Sequence, residues 1–170
     1  MLSSGFDPNI EVEYEPPQKG LDYELSEKEQ AMCRAQGDLF EGCQYLDLYP
    51  PCDPFDFSIR FMRSDLAKDR DDVYSYSFSW GEAQTWQEFF KYEKRIKPFS
   101  GEYENDKALY WAGYIYRYWA LWLGRASAEI IDEVPLKLLL VMYMGWHCVS
   151  PQETILELMA MKDKEKWSKE

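Results

Sequence analysis

Apolar residues return along most of this chain with a helical period. In FDFSIRFMRSDLAKDRDD, Phe55, Ile59, Met62 and Leu66 stand at i, i+4, i+7 and i+11, one stripe of a helix. Asp53 followed by Pro54 supplies its start, an N-cap with proline at the first helical position. GEAQTWQEFFKYEKRI predicts a second helix with Trp86, Phe89, Phe90 and Ile96 near one side. Ser127 can cap a short helix over AEIIDEV, and Pro135 can open another through LKLLLVMYMG. Ser150, Pro151 and Glu153 combine a cap, an N1 proline and a capping box before TILELMAMKDK. No run alternates with period 2 between hairpin turns, so the pattern predicts an all-α protein: a compact bundle with about six helices after residue 52.

The segment ALYWAGYIYRYWALWLG, residues 108–124, places seven Tyr and Trp among seventeen residues with Arg117 near the middle. As a membrane span it would be short and would carry a guanidinium close to the bilayer centre, so a buried helix of a soluble bundle is expected. On a helical wheel Ala108, Trp111, Ala112, Ile115, Trp119 and Trp122 share one side, with Trp111, Ile115, Trp119 and Trp122 as the core residues. Tyr110, Tyr114, Arg117 and Leu121 form a second stripe, which Tyr and Arg chemistry marks as a candidate partner-binding surface. Gly113 and Ala120 allow a neighbouring helix to come close. Arg117 cannot be buried alone, and a carboxylate from another helix is its expected partner, with Asp65 and Asp69 as the candidates.

Charge divides the chain. The formal net charge is −12, and residues 1–52 hold 11 acids against 3 bases while the remainder holds 20 against 16. Residues 1–25 lack an apolar period and read as extended or disordered. Ser26 and Glu29 have capping-box spacing, although Gly37 and Gly42 weaken the helix that would follow. The expected organisation is therefore an acidic, partly disordered N-terminal extension over 1–52 and a helical domain over 53–165, centred on the aromatic helix.

The same acidity argues against direct nucleic-acid binding, which needs concentrated basic surface, and suits a basic protein partner or a mimic of nucleic acid. Catalytic chemistry is not legible: there is no glycine-rich phosphate loop, no G-x-S-x-G and no H-E-x-x-H. His147 is the single histidine, and it would not face Cys148 if both stood on one helix. Asp71 with Asp72, or Asp132 with Glu133, could hold Mg²⁺ in principle, but such pairs ordinarily serve as caps or solvated turns. The four cysteines, Cys33, Cys43, Cys52 and Cys148, have no C-x-x-C spacing and are expected to be reduced. With no basic and apolar leader in MLSSGFDPNIEVEYEPP, the expectation is a cytoplasmic, non-enzymatic protein without metal, cofactor or membrane attachment.

One longer pattern has a familial likeness. Trp111, Gly113, Tyr114, Ile115, Tyr116, Arg117, Tyr118 and Trp119, followed by Ser127, His147 and Pro151, resemble small helical bacterial proteins encoded in candidate toxin–antitoxin cassettes. Some of those are encoded beside ADP-ribosyltransferase-like toxins. Phe61, Met62, Ser64, Ala67 and Asp71 are similar to an earlier helix of the same family. The chain departs from the pattern with Ser150-Pro151 in place of Asp-Pro and throughout its first fifty residues. The resemblance implies an antitoxin or immunity protein that neutralises a co-encoded toxin by direct binding, and the acidic composition leaves a nucleic-acid-mimic inhibitor as the alternative.

Overall fold

The computed structural model of the chain describes residues 24–75 and 77–168, so the disorder expected of residues 1–23 lies outside the described residues. Eight α-helices follow in order: α1 (Glu27–Gly42), α2 (Pro54–Met62), α3 (Asp65–Arg70), α4 (Glu82–Tyr92), α5 (Asp106–Leu123), α6 (Ser127–Glu133), α7 (Leu136–Trp146) and α8 (Pro151–Ser168). The described residues form no strand, only an isolated bridge between Cys52 and Pro98, and no helix is long and apolar enough to cross a membrane. The protein is all-α.

Local chemistry sets the helix ends. The Ser26 hydroxyl accepts from the Glu29 amide at 3.2 Å while the Glu29 carboxylate accepts from the Ser26 amide at 3.0 Å, a complete capping box. Asp53 Oδ1 accepts from the amides of Phe55 and Asp56 at 2.9 and 3.1 Å. Asn105 does the same for α5 through Lys107 and Ala108. That helix stops at Gly124, whose φ of 63° is left-handed.

α5 is the axis of the bundle. One flank packs on α1, the other on α6, α7 and α8. Glycines permit the tight α1–α5 contact: a Cβ on Gly113 would fall 2.7 Å from the Gln36 carbonyl and 2.8 Å from the Phe40 ring, and one on Gly37 would fall 2.8 Å from the Tyr110 ring. Residue 37, which weakens α1 by propensity, is thus where α5 needs the space. An aromatic cluster extends the core toward α4, with Phe57 ring centroids 5.4 Å from Phe40, 5.2 Å from Trp86 and 5.4 Å from Phe89.

Three expectations are corrected here. The stretch after Asp53 is not one helix with Phe55, Ile59, Met62 and Leu66 as its buried stripe. Ser64 accepts from the Ala67 amide at 3.2 Å and starts a new helix, and the buried face of α2 is Phe57, Ser58, Phe61 and Met62. Nor does residue 52 divide an extension from a domain, because Met32, Cys33, Leu39 and Phe40 of α1 lie in the common core with Leu25 before them. Ser127, expected as a cap, is the first residue of α6; its N-cap position is Ala126, which has no capping side chain.

The sequence-distant end of the bundle is held by ions. Arg125 bridges Glu129 and Glu133, and Lys162 of α8 also pairs with Glu133. The Arg125 hydrogen bond, reinforced by Lys162 and opposed by partial burial, holds the Glu133 carboxyl at about 2, below its ordinary 4.5. Its stabilising contribution is therefore complete above pH 4.5 and lost as pH falls toward 2. Denaturant titrations across that window should show the stability advantage of the wild type over Glu133→Gln shrinking to nothing at the acid end.

Gly113→Ala gives a second test. Helix propensity alone favours alanine by about 1 kcal/mol. Overpacking against Gln36 and Phe40 should outweigh it, for a net loss of about 1–3 kcal/mol by urea denaturation.

Candidate functional site

The stripe proposed from sequence as a partner surface runs along the inside of the bundle. Arg117 is 1% exposed and Leu121 is buried, while Tyr110 and Tyr114 are half-buried beside α1. Of the core candidates, Ile115, Trp119 and Trp122 are buried, and Trp111 is half-buried with its ring edge toward Tyr143 at 5.9 Å.

Arg117 makes a clasp between five helices. Its Nε and Nη2 both donate to Gln36 Oε1 of α1, at 2.9 and 2.7 Å, and Nη1 donates to Asp71 Oδ1 at 2.6 Å. Gln36 in turn donates to the Gly113 carbonyl of α5 at 2.9 Å and lies 3.7 Å from Met62 Sδ of α2. Asp71, just beyond α3, accepts from the Ser127 amide at 2.9 Å and from the Ser127 hydroxyl, supplying the N-terminal cap that Ala126 cannot. Burial lowers the Arg117 guanidinium's affinity for its proton and Asp71 opposes that shift. A carboxylate partner was expected, but it is Asp71 rather than Asp65 or Asp69. Asp65 starts α3 at the surface, and Asp69 accepts from Ser75 at 2.6 Å. The Asp71 position is occupied by the clasp, Asp72 accepts from the Tyr74 amide, and Asp132 pairs with Arg63, so the acidic pairs considered for Mg²⁺ are committed to the protein itself.

The surface offers a different site. Between α2, α3 and α4 runs a groove of about 900 Å³. Phe89, Leu66 and Ile59 form its apolar floor, with Trp80 and Tyr92 on the walls. Tyr92 is 77% exposed and Ile59 42%. Five carboxylates, Asp56, Asp65, Asp69, Glu88 and Glu93, face two arginines. Both arginines are spent internally: Arg60 pairs with Asp56 at 2.8 Å and Glu93 at 2.9 Å, and Arg63 pairs with Asp132. Asp65 and Glu88 have no cation partner among the described residues.

A second buried arginine shapes the end of this groove. Arg70 donates to the Ser77 carbonyl at 3.0 Å and to Thr85 Oγ1 at 2.8 Å, tying the segment after α3 to α4. Burial, with the charge of Arg117 behind it, pulls Arg70 down to about 10. Asp69 is held below its ordinary value by hydrogen bonds from Ser75 and Ser77. It therefore stays ionised at the groove wall.

Sequence reasoning missed the groove because Ile59 and Leu66 fit a core stripe. The available signal was Ser64, a capping residue in the middle of that stripe.

The clasp makes a sharp prediction. Arg117→Met removes the fork and leaves Asp71 and Gln36 without their buried partner, and should cost about 3–5 kcal/mol in chemical denaturation. An unchanged midpoint would show that the five-helix network contributes nothing. Comparisons with family models, with curated proteins and with solved structures returned no match.

Proposed function

We propose that this chain is a non-enzymatic, cytoplasmic protein-binding module that captures a basic protein partner in the α2–α4 groove, as an antitoxin or immunity protein would capture a co-encoded toxin. One observation carries the reading: exposed Ile59 and Tyr92, with half-buried Leu66 and Trp80 beside them, line a groove among carboxylates whose neighbouring arginines are already paired. Exposed Tyr92 and half-buried Trp80 give contact area, and Asp65, Asp69 and Glu88 supply charge that steers and orients a cationic partner. The net charge of −12 acts in the same direction at longer range. A mimic of nucleic acid would present its carboxylates without such a lining, so Trp80, Tyr92 and Ile59 favour protein capture over that alternative.

The test is co-expression with the protein encoded beside it, scored for growth rescue and co-purification. Tyr92→Ala combined with Glu88→Lys should leave the fold intact, because both positions are off the core, and should weaken the complex about tenfold or more through the lost aromatic contact and reversed charge. Rescue of growth without a complex would point to an enzymatic antitoxin and overturn the proposal.

A further inference from the structure

The turn after α7 carries chemistry that the groove does not use. α7 ends at Trp146, and the Val149 amide donates to the Trp146 carbonyl at 3.0 Å to close a turn containing His147 and Cys148. Outside the helix the two adjacent side chains converge, which the expectation of a continuous helix had ruled out. Cys148 Sγ lies 3.4 Å from His147 Nε2, and His147 Nδ1 lies 2.7 Å from the Tyr143 carbonyl oxygen.

A carbonyl only accepts, so Nδ1 carries the hydrogen and Nε2 of the neutral ring presents its lone pair to the thiol. The Tyr143 ring stacks on the imidazole at 4.5 Å, fixing the ring plane as well as the tautomer. The order is nucleophile, base, orienting group.

We propose that Cys148 is a reactive thiol, activated by His147, that exchanges with small disulfides to form a mixed disulfide on the protein surface. The Cys148 S–H gives its proton to His147 Nε2, and the thiolate attacks one sulfur of R–S–S–R. The new protein–S–S–R bond forms as the old disulfide bond breaks, and the departing R–S⁻ takes up a proton to become R–SH. The balance is protein–SH plus R–S–S–R giving protein–S–S–R plus R–SH, and the disulfide is the only oxidant needed.

Selectivity is built into the fold. Cys148 is exposed, whereas Cys33, Cys43 and Cys52 are buried. Desolvation pushes Cys33 and Cys52 up to about 12 and Cys43 well above its ordinary value, so these three persist as thiols. They complete the sequence's four cysteines, so no exposed second cysteine stands ready to resolve the mixed disulfide. The surroundings are open: Met144 is exposed, and a Cβ added at Gly145 would meet nothing within 4 Å.

The experiment treats the folded full chain with a neutral dipyridyl disulfide, follows release of the pyridine thiol, and locates the adduct by peptide mass. One fast equivalent per chain at Cys148 is expected, absent in Cys148→Ser, with the other cysteines reacting only in denaturant. His147→Gln, a change at an exposed position, should slow the fast phase about tenfold or more at neutral pH. A wild-type rate no greater than that of an unstructured peptide bearing Cys148, a His147→Gln rate equal to wild type, or fast labelling at a buried cysteine would each overturn the proposal.

Discussion

A guanidinium with 1% exposure has to find every partner inside the protein, and that requirement organises this fold. Arg117 satisfies it with Gln36 from α1 and Asp71 from the end of α3, and Asp71 then holds the first residue of α6. Helices far apart in sequence are thus given one mutual register, because each contact is short and directional. Apolar packing alone is far less exacting about angle and offset. The aromatic helix contributes bulk on every side, while the arginine in its middle decides which neighbours are correct.

Close backbone approach makes the clasp reachable. Gly113 and Gly37 remove the side chains that would separate α1 from α5, so Gln36 can reach both the α5 carbonyl of Gly113 and the guanidinium one turn further on. The glycine in α1 weakens that helix in isolation and strengthens it in the bundle. Helix α1 is consequently integral to the core, although its sequence neighbourhood is the most acidic part of the chain.

Once Arg117, Arg60, Arg63, Arg70 and Arg125 are engaged inside the protein, the surface keeps a surplus of carboxylate. The groove between α2 and α4 concentrates part of it beside exposed Ile59 and Tyr92, a combination suited to a cationic protein surface. At the far end of α7, the turn at residues 147–149 gives an exposed thiol an oriented base. Both features lie next to a helix end, that of α2 at Met62 and that of α7 at Trp146.

The sequence by itself determined what depends on neighbours three or four residues away. Period, proline and caps identified the starts at Ser26, Asp53 and Pro151 and most of the helices after residue 52, though not the division of α2 from α3, and the aromatic run at 108–124 was legible as the central helix. The need of Arg117 for a carboxylate was also legible, since it follows from the energetics of one buried charge. Its choice of Asp71 was not: that contact spans 46 residues, and the one to Gln36 spans 81. Helix α2 stops at Met62 and Ser64 caps α3, and it is Asp71 at the end of α3 that reaches Arg117 while Ile59 of α2 stays exposed. Local sequence sets hydrogen bonds within a turn, but only the tertiary arrangement decides which distant polar groups share one dry space, and so which apolar residues remain outside to line a groove.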